Sequence, residues 1–486
     1  MRCSATTRKN MDVLNGSFPI YFPRNTGREP LQFYLTAALI RFTNIEIGFI
    51  SLKIGTALVG FVTLAYIFLL GQYLFNNWVG LSALFFSGIA YWPNVISRIG
   101  LRFPFYPLFT APAIYYLIKG LNEKKSNDLL YAGLFLGIGL YGYSPFRIAP
   151  IFLSVIIFLY FLNTKTKSER NFGLNTLFLI TITSFIVFLP LFRYSLENPA
   201  IVNYRSLSRI SGLERSIDGP VLVVFIKNFW NAAIMFFYKN GVVWVNSIPN
   251  RPALGIISAV FFFLGSIFLL QEWIITKDWK SLSLLISTPV LMLPSILSLA
   301  YPGENPALNR SAGAIIPVFI VIGYGFISIT TYFFKEKSII VKGIGVGITA
   351  LTLSLSLFQN YDLVFNQFAA QFSNNAWNTS EIGGVISDFV AAGNKPENAF
   401  VVPFPHWVDT RLVGINAGFP DKDYALWTEE ISKTLNVSGS KLFILKPEDY
   451  ESMDALELLY PKGSREIFYS RIPGKNFIMF MDLNKK

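Results

Sequence analysis

The stretch GFISLKIGTALVGFVTLAYIFLLG, residues 48–71, contains Lys53 as its one charged residue. As an α-helix it would extend about 36 Å, enough to cross the roughly 30 Å hydrocarbon core of a bilayer. Hydrophobic residues make up 52% of the chain and charged residues 14%, with a mean hydropathy of +0.46. Together these features predict a polytopic α-helical membrane protein with about ten transmembrane helices. The candidate spans lie near residues 48–71, 78–93, 103–119, 128–143, 147–163, 174–193, 252–271, 281–300, 312–334 and 338–358.

The ionisable residues exclude several classes of function. With a single Cys and a single His, the chain cannot form an internal disulfide or a metal site built from several histidines. The formal net charge of +12 does not predict nucleic-acid binding, because most basic residues lie in short loops where membrane topology alone places them. The sequence has no Walker loop, no Gly-rich dinucleotide motif and no large cytoplasmic domain, so a soluble nucleotide donor is not expected.

Basic residues in the loops predict the orientation of the spans. Lysines cluster in every second loop, near residues 119–125, 165–170, 277–280 and 335–342. The alternate loops carry arginine instead, at Arg98, Arg102, Arg147 and Arg310 and through the long loop 194–251. Since Lys and Arg in short loops favour the cytoplasm, the lysine-rich loops are assigned to the inside and the arginine-bearing loops to the outside.

The chain divides into three predicted parts. Residues 1–46 form an extracytoplasmic segment with an interfacial helix at 31–40, and residues 47–358 form the multi-span domain. Residues 359–486 are predicted to form a small extracytoplasmic α/β domain, because short strand-like apolar runs alternate with predicted amphipathic α-helices at 421–435 and 448–460. An external N-terminal segment without a signal peptide is unusual. Either the span behind it carries it across the membrane or, as we expect, the natural start lies upstream of Met1.

A carboxylate and an arginine lie directly before the interfacial helix. In RNTGREPLQFYL, Gly27 and Pro30 flank Arg28 and Glu29. A charge at the depth of the lipid headgroups is costly, which favours a functional role for Glu29 as a catalytic or substrate-binding residue. A purely structural interpretation is that Glu29 interacts with the dipole at the start of the helix.

Arginines recur in the other external loops. Arg98 and Arg102 are four residues apart, so on a helix both guanidinium groups would share one face, and such a pair suits a phosphate. Tyr143 and Arg147 lie in a very short turn, and Arg310 follows Glu304 and Asn305 in another loop. Each arginine could instead anchor a helix at the membrane interface. Gathered on one face, however, they predict a site for an anionic lipid headgroup.

The order of five segments resembles the bacterial membrane glycosyltransferases of the protein O-mannosyltransferase and aminoarabinose-transferase type, within the GT-C superfamily. The segments are NGSFPIYFPRNTGREPLQFYL, SRIGLRFPFYPLF, GLFLGIGLYGYSPFRIAP, ENPALNRSAGAIIP and FPHWVDTRLVGINAGFP. The resemblance implies a GT-C-like fold in a bacterial plasma membrane. It also implies transfer of a sugar, with inversion, from a polyprenyl-phosphate-linked donor to a lipid, glycan or protein acceptor on the extracytoplasmic face.

The resemblance also implies roles for individual residues. Glu29 corresponds to the second acidic motif of the first external loop, which in some relatives helps to bind substrate or a divalent metal ion, so a metal here stays open. Arg98, Arg102 and Arg310 are expected to hold the lipid phosphate, and Arg28, Tyr143 and Arg147 to contact substrate. The Asp-Glu pair that supplies the general base in relatives is absent from this sequence.

Two other functions are compatible with the sequence. The missing Asp-Glu pair suits a non-catalytic relative that binds a lipid-linked sugar. A transporter or flippase for such a lipid is the other alternative, although it predicts repeated halves and ionisable residues in the middle of the spans, whereas here the charges lie at span ends.

Overall fold

The computed structural model describes residues 2–24, 26–336 and 338–483, and Met1, Asn25, Lys337 and residues 484–486 lie outside the described part. The prediction that the natural start lies upstream of Met1 therefore falls outside the described residues. The chain is mostly α-helical and carries one four-stranded sheet near its C-terminus.

The α-helices are α1 (Arg2–Leu14), α2 (Leu31–Thr43), α3 (Phe49–Leu74), α4 (Asn77–Ile89), α5 (Tyr91–Arg98), α6 (Phe105–Glu123), α7 (Ser126–Gly139), α8 (Ala149–Asn163), α9 (Lys167–Glu197), α10 (Pro199–Ile210), α11 (Val221–Ile234), α12 (Ile256–Thr276), α13 (Trp279–Leu291), α14 (Leu293–Ile296), α15 (Ile315–Lys335), α16 (Ile339–Tyr361), α17 (Phe368–Asn375), α18 (Thr379–Ala391), α19 (Thr410–Asn416) and α20 (Tyr450–Leu459). Short 3₁₀ segments include Ser144–Ile148, Pro302–Glu304 and Thr428–Asn436, and a π-helical turn, Asp362–Gln367, joins α16 to α17. The strands are β1 (Ala399–Val401), β2 (Lys441–Leu445), β3 (Ser464–Phe468) and β4 (Phe477–Asp482).

The structure confirms a polytopic helical protein. In the described part of the chain, seven helical segments are long and apolar enough to cross a membrane, and the bent pair α4–α5 adds an eighth. The seven are Phe49–Leu74, Ser144–Asn163, Lys167–Glu197, Ile256–Thr276, Trp279–Ile296, Ala312–Lys335 and Ile339–Asn375. Two further predicted spans coincide with α6 and α7, but α7 has 14 residues and extends only about 21 Å, less than the hydrocarbon thickness.

A proline explains the 56° bend between α4 and α5. Ala90, between the two helices, is extended (φ −63°, ψ 143°). Pro93 follows three residues later, and its missing N–H could not bond to the carbonyl of Ile89 in a continuous helix. The helix therefore breaks ahead of the proline.

The chain forms two compact units. One comprises Phe18–Leu35 with Lys53–Ala369, and the other comprises Met1–Ser17, Thr36–Leu52 and Ala370–Lys486. The predicted domain limits 1–46, 47–358 and 359–486 stay predictions.

Close helix packing holds the larger unit together. α15 is the most enclosed span, with 78% of its apolar window buried. It packs on α12 where Gly325 meets Gly265, and a Cβ on Gly325 would lie 2.9 Å from the Gly265 backbone. Small residues at such crossings let helix backbones approach closely, which supplies the packing energy that apolar surface alone does not supply in lipid.

The sheet belongs to the smaller unit and has the order β1-β2-β4-β3. β1 pairs with β2 in parallel, whereas β4 pairs antiparallel with both β2 and β3. All five residues of β2 are buried. Leu442 and Ile444 pack against α18 on one face, and Phe443 and Leu445 pack against α20 on the other. This alternation explains why the central strand reads as a continuous apolar run.

The small C-terminal α/β domain predicted from the sequence is confirmed, with two differences. The amphipathic stretch 421–435, predicted as an α-helix, forms the 3₁₀ segment Thr428–Asn436. α18 and α19 were not predicted. The other amphipathic stretch, 448–460, contains α20.

Candidate active site

A tight hairpin places Glu29 at the start of α2. Phe22 and Arg28 exchange backbone hydrogen bonds of 2.9 and 3.0 Å, closing a turn in which Gly27 has φ +77°. A Cβ on Gly27 would collide with the ring of Tyr21, so both the backbone angle and the space require glycine. Burial, and secondarily the charge of Glu29, raise the pKa of the Tyr21 hydroxyl to about 12.

Two hydrogen bonds attach this segment to distant parts of the chain. The backbone N–H of Leu31 donates to the carbonyl of Tyr141 at 3.3 Å. The side-chain amide of Gln32 donates to the carbonyl of Gly100 at 2.7 Å. These bonds hold the loops after α5 and α7 against the first turn of α2, next to Glu29.

Glu29 is the centre of the resulting cluster. It is 1% exposed, and its Oε1 accepts a 2.5 Å hydrogen bond from Ser144 and lies 3.9 Å from Nη2 of Arg147. Its Oε2 lies 3.5 Å from Nη1 of Arg102, yet it accepts no hydrogen bond from the residues that the structure describes. One carboxylate oxygen is thus held by a hydrogen bond, whereas the other, beside Arg102, keeps an unused position for accepting a proton or a hydrogen bond.

The arginines beside Glu29 are held in different ways. Arg102 is 6% exposed, and its guanidinium lies 5.3 Å from the ring centroid of Tyr143. Arg147 donates to the carbonyl of Val202 and to the hydroxyl of Ser206 at 3.3 to 3.5 Å, so it is tied to α10. These contacts fix both guanidinium groups beside the carboxylate.

Tyr143 connects this cluster to a second one. Its hydroxyl accepts a 3.0 Å hydrogen bond from Asn309, the neighbour of Arg310. Glu304 Oε2 accepts hydrogen bonds from Arg310 at 2.9 Å and from Arg209 at 2.6 Å. Burial would raise the pKa of Glu304, but the two guanidinium groups outweigh it and the pKa is lowered.

Both clusters carry an excess of positive charge. Each contains one carboxylate and two guanidinium groups, so each has a net charge of about +1 when all groups are ionised. Burial lowers the pKa of Arg310, as expected for a cation held with less solvation than in water. An anionic group that bound here would find charge compensation already in place.

The remaining predicted residues lie apart from Glu29. Arg28 points back to its own turn, donating to the carbonyl of Gly27 at 2.6 Å. Arg98 is exposed, and its guanidinium lies 4.3 Å from the ring centroid of Phe365. The prediction that Arg98 and Arg102 share a helical face was wrong: α5 ends at Arg98, and Gly100 with φ +73° turns the chain away.

Two residues of the site were missed. Ser144 could not be singled out from the sequence, because serine is a common residue in turns. Arg209 could have been found, since Arg205 and Arg209 stand four residues apart on one helix, the same spacing that drew attention to Arg98 and Arg102.

The environment of Glu29 does not suit a divalent metal ion. Among the residues that the structure describes, no group of three or more His, Cys, Asp or Glu side chains could hold a metal ion. The two guanidinium groups beside Glu29 would also repel a metal cation.

Comparisons with known proteins agree with this architecture. A family model described as dolichyl-phosphate-mannose-protein mannosyltransferase matches residues 28–194, a stretch that begins one residue before Glu29. No curated protein is significantly similar in sequence.

Solved structures are similar over nearly the whole chain. The crystal structure of ArnT from Cupriavidus metallidurans bound to undecaprenyl phosphate has a TM-score of 0.56 at 10% identity, covering 98% of this chain and 92% of that one. The oligosaccharyltransferase AglB from Archaeoglobus fulgidus, in complex with an inhibitory peptide and a dolichol-phosphate, has a TM-score of 0.54 at 12% identity, covering 98% and 69%.

These likenesses define the fold of the protein. The chain has the GT-C fold of membrane glycosyltransferases, as predicted from the sequence, and it is an integral membrane protein.

Proposed function

We propose that the chain transfers a sugar from a polyprenyl-phosphate-linked donor to an acceptor hydroxyl or amine on the extracytoplasmic face of a bacterial plasma membrane. The observation that carries the proposal is the buried carboxylate of Glu29 between the guanidinium groups of Arg102 and Arg147, with Oε2 accepting no hydrogen bond from the described residues. The family-model match over residues 28–194 and the likeness to lipid-phosphate-bound structures support it.

The two kinds of group suit the two halves of a transfer reaction. As the bond between the anomeric carbon and the phosphate oxygen breaks, negative charge grows on the departing lipid phosphate. Arg102, Arg147 and Arg310 lie where fixed positive charge would stabilise it in a poorly solvated site. Oε2 of Glu29 would accept the proton that the attacking acceptor group loses.

The loops that build the site support its proposed side of the membrane. They precede α2, separate α5 from α6, α7 from α8, and α14 from α15. All belong to the arginine-bearing set, whereas the lysine-rich loops follow α6, α8, α12 and α15 at the other ends of these helices. This distribution of Lys and Arg supports a site that faces away from the cytoplasm.

Binding of a lipid-linked sugar without transfer is the second candidate. It is favoured by the pairing of Glu29 with Ser144 and two arginines, since a carboxylate used in this way organises a phosphate site even if it removes no proton.

A transfer assay separates these functions. The full chain in lipid nanodiscs would be incubated with radiolabelled undecaprenyl-phosphate sugars and a panel of glycan, lipid and peptide acceptors. Loss of label from the lipid with equal gain in an acceptor supports transfer, whereas saturable donor binding without label transfer supports the second candidate. If the donor does not bind at all, both functions are refuted.

A further inference from the structure

A cavity of about 370 Å³ lies between α11, the segment 239–250 and the loop 302–306. Its volume is in the range of pockets that hold one small organic molecule. It is distinct from the Glu29 cluster, and none of the residues predicted to form the active site lines it. The polar side chains lining it belong to Lys227, Asn228, Asn231, Lys239, Asn240, Asn250 and Asn305.

The cavity wall is a connected hydrogen-bond network. Asn305 donates to the carbonyl of Asn228 at 2.9 Å, and its own oxygen accepts a 2.9 Å hydrogen bond from Ser295. The N–H of Gly241 donates to the carbonyl of Pro306 at 2.7 Å. Because a Cβ on Gly241 would collide with that carbonyl, glycine is required where the two segments touch. The network fixes the lining groups before any ligand arrives.

Two further amides of the lining are buried. Asn228 is fully buried, and its Oδ1 has no partner among the described residues although its Nδ2 donates to the carbonyl of Ile296. Asn240 is 2% exposed, and its side chain interacts with the Tyr91 hydroxyl. Both side chains are enclosed by protein, so the polar side chains that meet a ligand in the cavity are those of Lys227, Asn231, Lys239 and Asn250.

The charge of the wall is positive. Lys227 and Lys239 both line the cavity, and neither is paired with a carboxylate in the part of the chain that the structure describes. No Asp or Glu is among the residues that line it. Two cations with several amides match a ligand that has both hydroxyl groups and a negative charge.

We propose that this cavity binds an anionic sugar, carrying a phosphate or a carboxylate, as part of the acceptor. This assignment rests on the proposed transfer function. The loop 302–306 supports it, because Gly303 and Asn305 face the cavity while Glu304 between them binds Arg310 and Arg209. An acceptor sugar in the cavity would therefore share one loop with the proposed donor-phosphate cluster.

Binding can be measured without any donor, so the test does not depend on transfer. The full chain in phosphatidylcholine nanodiscs would be titrated with glucose 6-phosphate and glucuronate, with glucose as the uncharged control. We expect both anionic sugars to bind and glucose to bind about tenfold more weakly or not at all. Equal binding of glucose would overturn the assignment.

Variants locate the site. Replacing both cavity lysines, Lys227→Gln with Lys239→Gln, should weaken binding of the anionic sugars about tenfold or more, and Asn240→Asp should do the same by placing a negative charge in the wall. The matched control replaces two exposed lysines of the α/β domain, Lys395→Gln with Lys462→Gln, and should bind as the unaltered protein does. Unchanged binding in the folded cavity variants, or equal loss in the control, would refute the site.

The source of the anion is tested in a second membrane. If phosphatidylglycerol in the nanodisc displaces glucose 6-phosphate, the occupant is a lipid headgroup and the sugar assignment is overturned. Sugar binding that persists in phosphatidylglycerol supports it. Transfer without cavity binding would refute this inference alone, whereas cavity binding without any transfer would refute the proposed function alone.

Discussion

The substitution Glu29→Gln tests the proposed chemistry most directly. It keeps the shape of the side chain and the contact to Ser144 but removes the negative charge between Arg102 and Arg147. Loss of a general base typically lowers the rate 10²–10⁴-fold, which corresponds to about 3–5 kcal/mol of activation free energy. The change also raises the positive charge of the cluster by one, so the KM for a phosphate-linked donor should stay constant or fall.

The same substitution has a measurable cost in stability. Removing one partner of a buried ion pair destabilises a protein by roughly 3–5 kcal/mol, because the remaining charge is buried without compensation. Arg102 is in this position, with its side chain 8% exposed. An anionic lipid should supply the missing charge, so undecaprenyl phosphate should raise the melting temperature of Glu29→Gln more than that of the unaltered chain.

The assay is initial-rate transfer at varied donor concentration, together with thermal unfolding with and without undecaprenyl phosphate. Glu46→Gln, at an exposed glutamate, is the control and should leave kcat, KM and the melting temperature unchanged. Unchanged kcat in folded Glu29→Gln would refute a role in proton transfer. A raised donor KM with unchanged kcat would reduce Glu29 to a residue that positions the arginines.

Three further predictions test other parts of the structure. Arg102→Gln should raise the donor KM about tenfold or more, whereas Arg98→Gln, at an exposed side chain, should leave it within about twofold; equal effects in donor titrations would contradict the separation of the two arginines. Because the folded-state pKa of Glu304 is lowered, its ion pairs stabilise the fold above the ordinary carboxyl pKa of 4.5 and lose that effect as the pH falls below it. Glu304→Gln should therefore lose less stability than the unaltered chain in acid unfolding, and an identical pH profile would contradict this. Gly325→Ala should lower the melting temperature because the new methyl group meets the facing helix, while Gly347→Ala, which has open space around it, should not; equal melting temperatures would contradict the packing.

Hydrophobic composition and length were sufficient to predict the class of fold. They identified α3 and α16 to within a few residues, because a lipid-facing helix has to be apolar over its whole length. They did not predict the helix break at Ala90, although Pro93 causes it. They also could not distinguish the short α7 from a helix that spans the membrane. Periodicity failed at residues 428–436, since an amphipathic pattern does not distinguish an α-helix from a 3₁₀-helix over so few residues.

The candidate site could be predicted only in part. Charge near lipid is expensive, so Glu29, Arg102 and Arg147 stood out in the sequence, and the structure brings them together with Tyr143. Their partners are set by hydrogen bonds such as that from Leu31 to Tyr141, which join segments more than a hundred residues apart. No local pattern contains that information, which is why Ser144 and the pairing of Arg209 with Glu304 became visible only in three dimensions.

The surplus of arginine over glutamate has a consequence for turnover. A sugar-linked polyprenyl phosphate is a diester with one negative charge, but the lipid left after transfer is a monoester with a charge near −1.5 to −2 at neutral pH. A site with a net charge of about +1 in each of its two clusters would bind the polyprenyl phosphate product more tightly than the sugar-linked donor. We therefore expect departure of the spent carrier to limit the steady-state rate and added polyprenyl phosphate to inhibit competitively, so that the speed of the enzyme in a cell would depend on how quickly the membrane recycles its carrier.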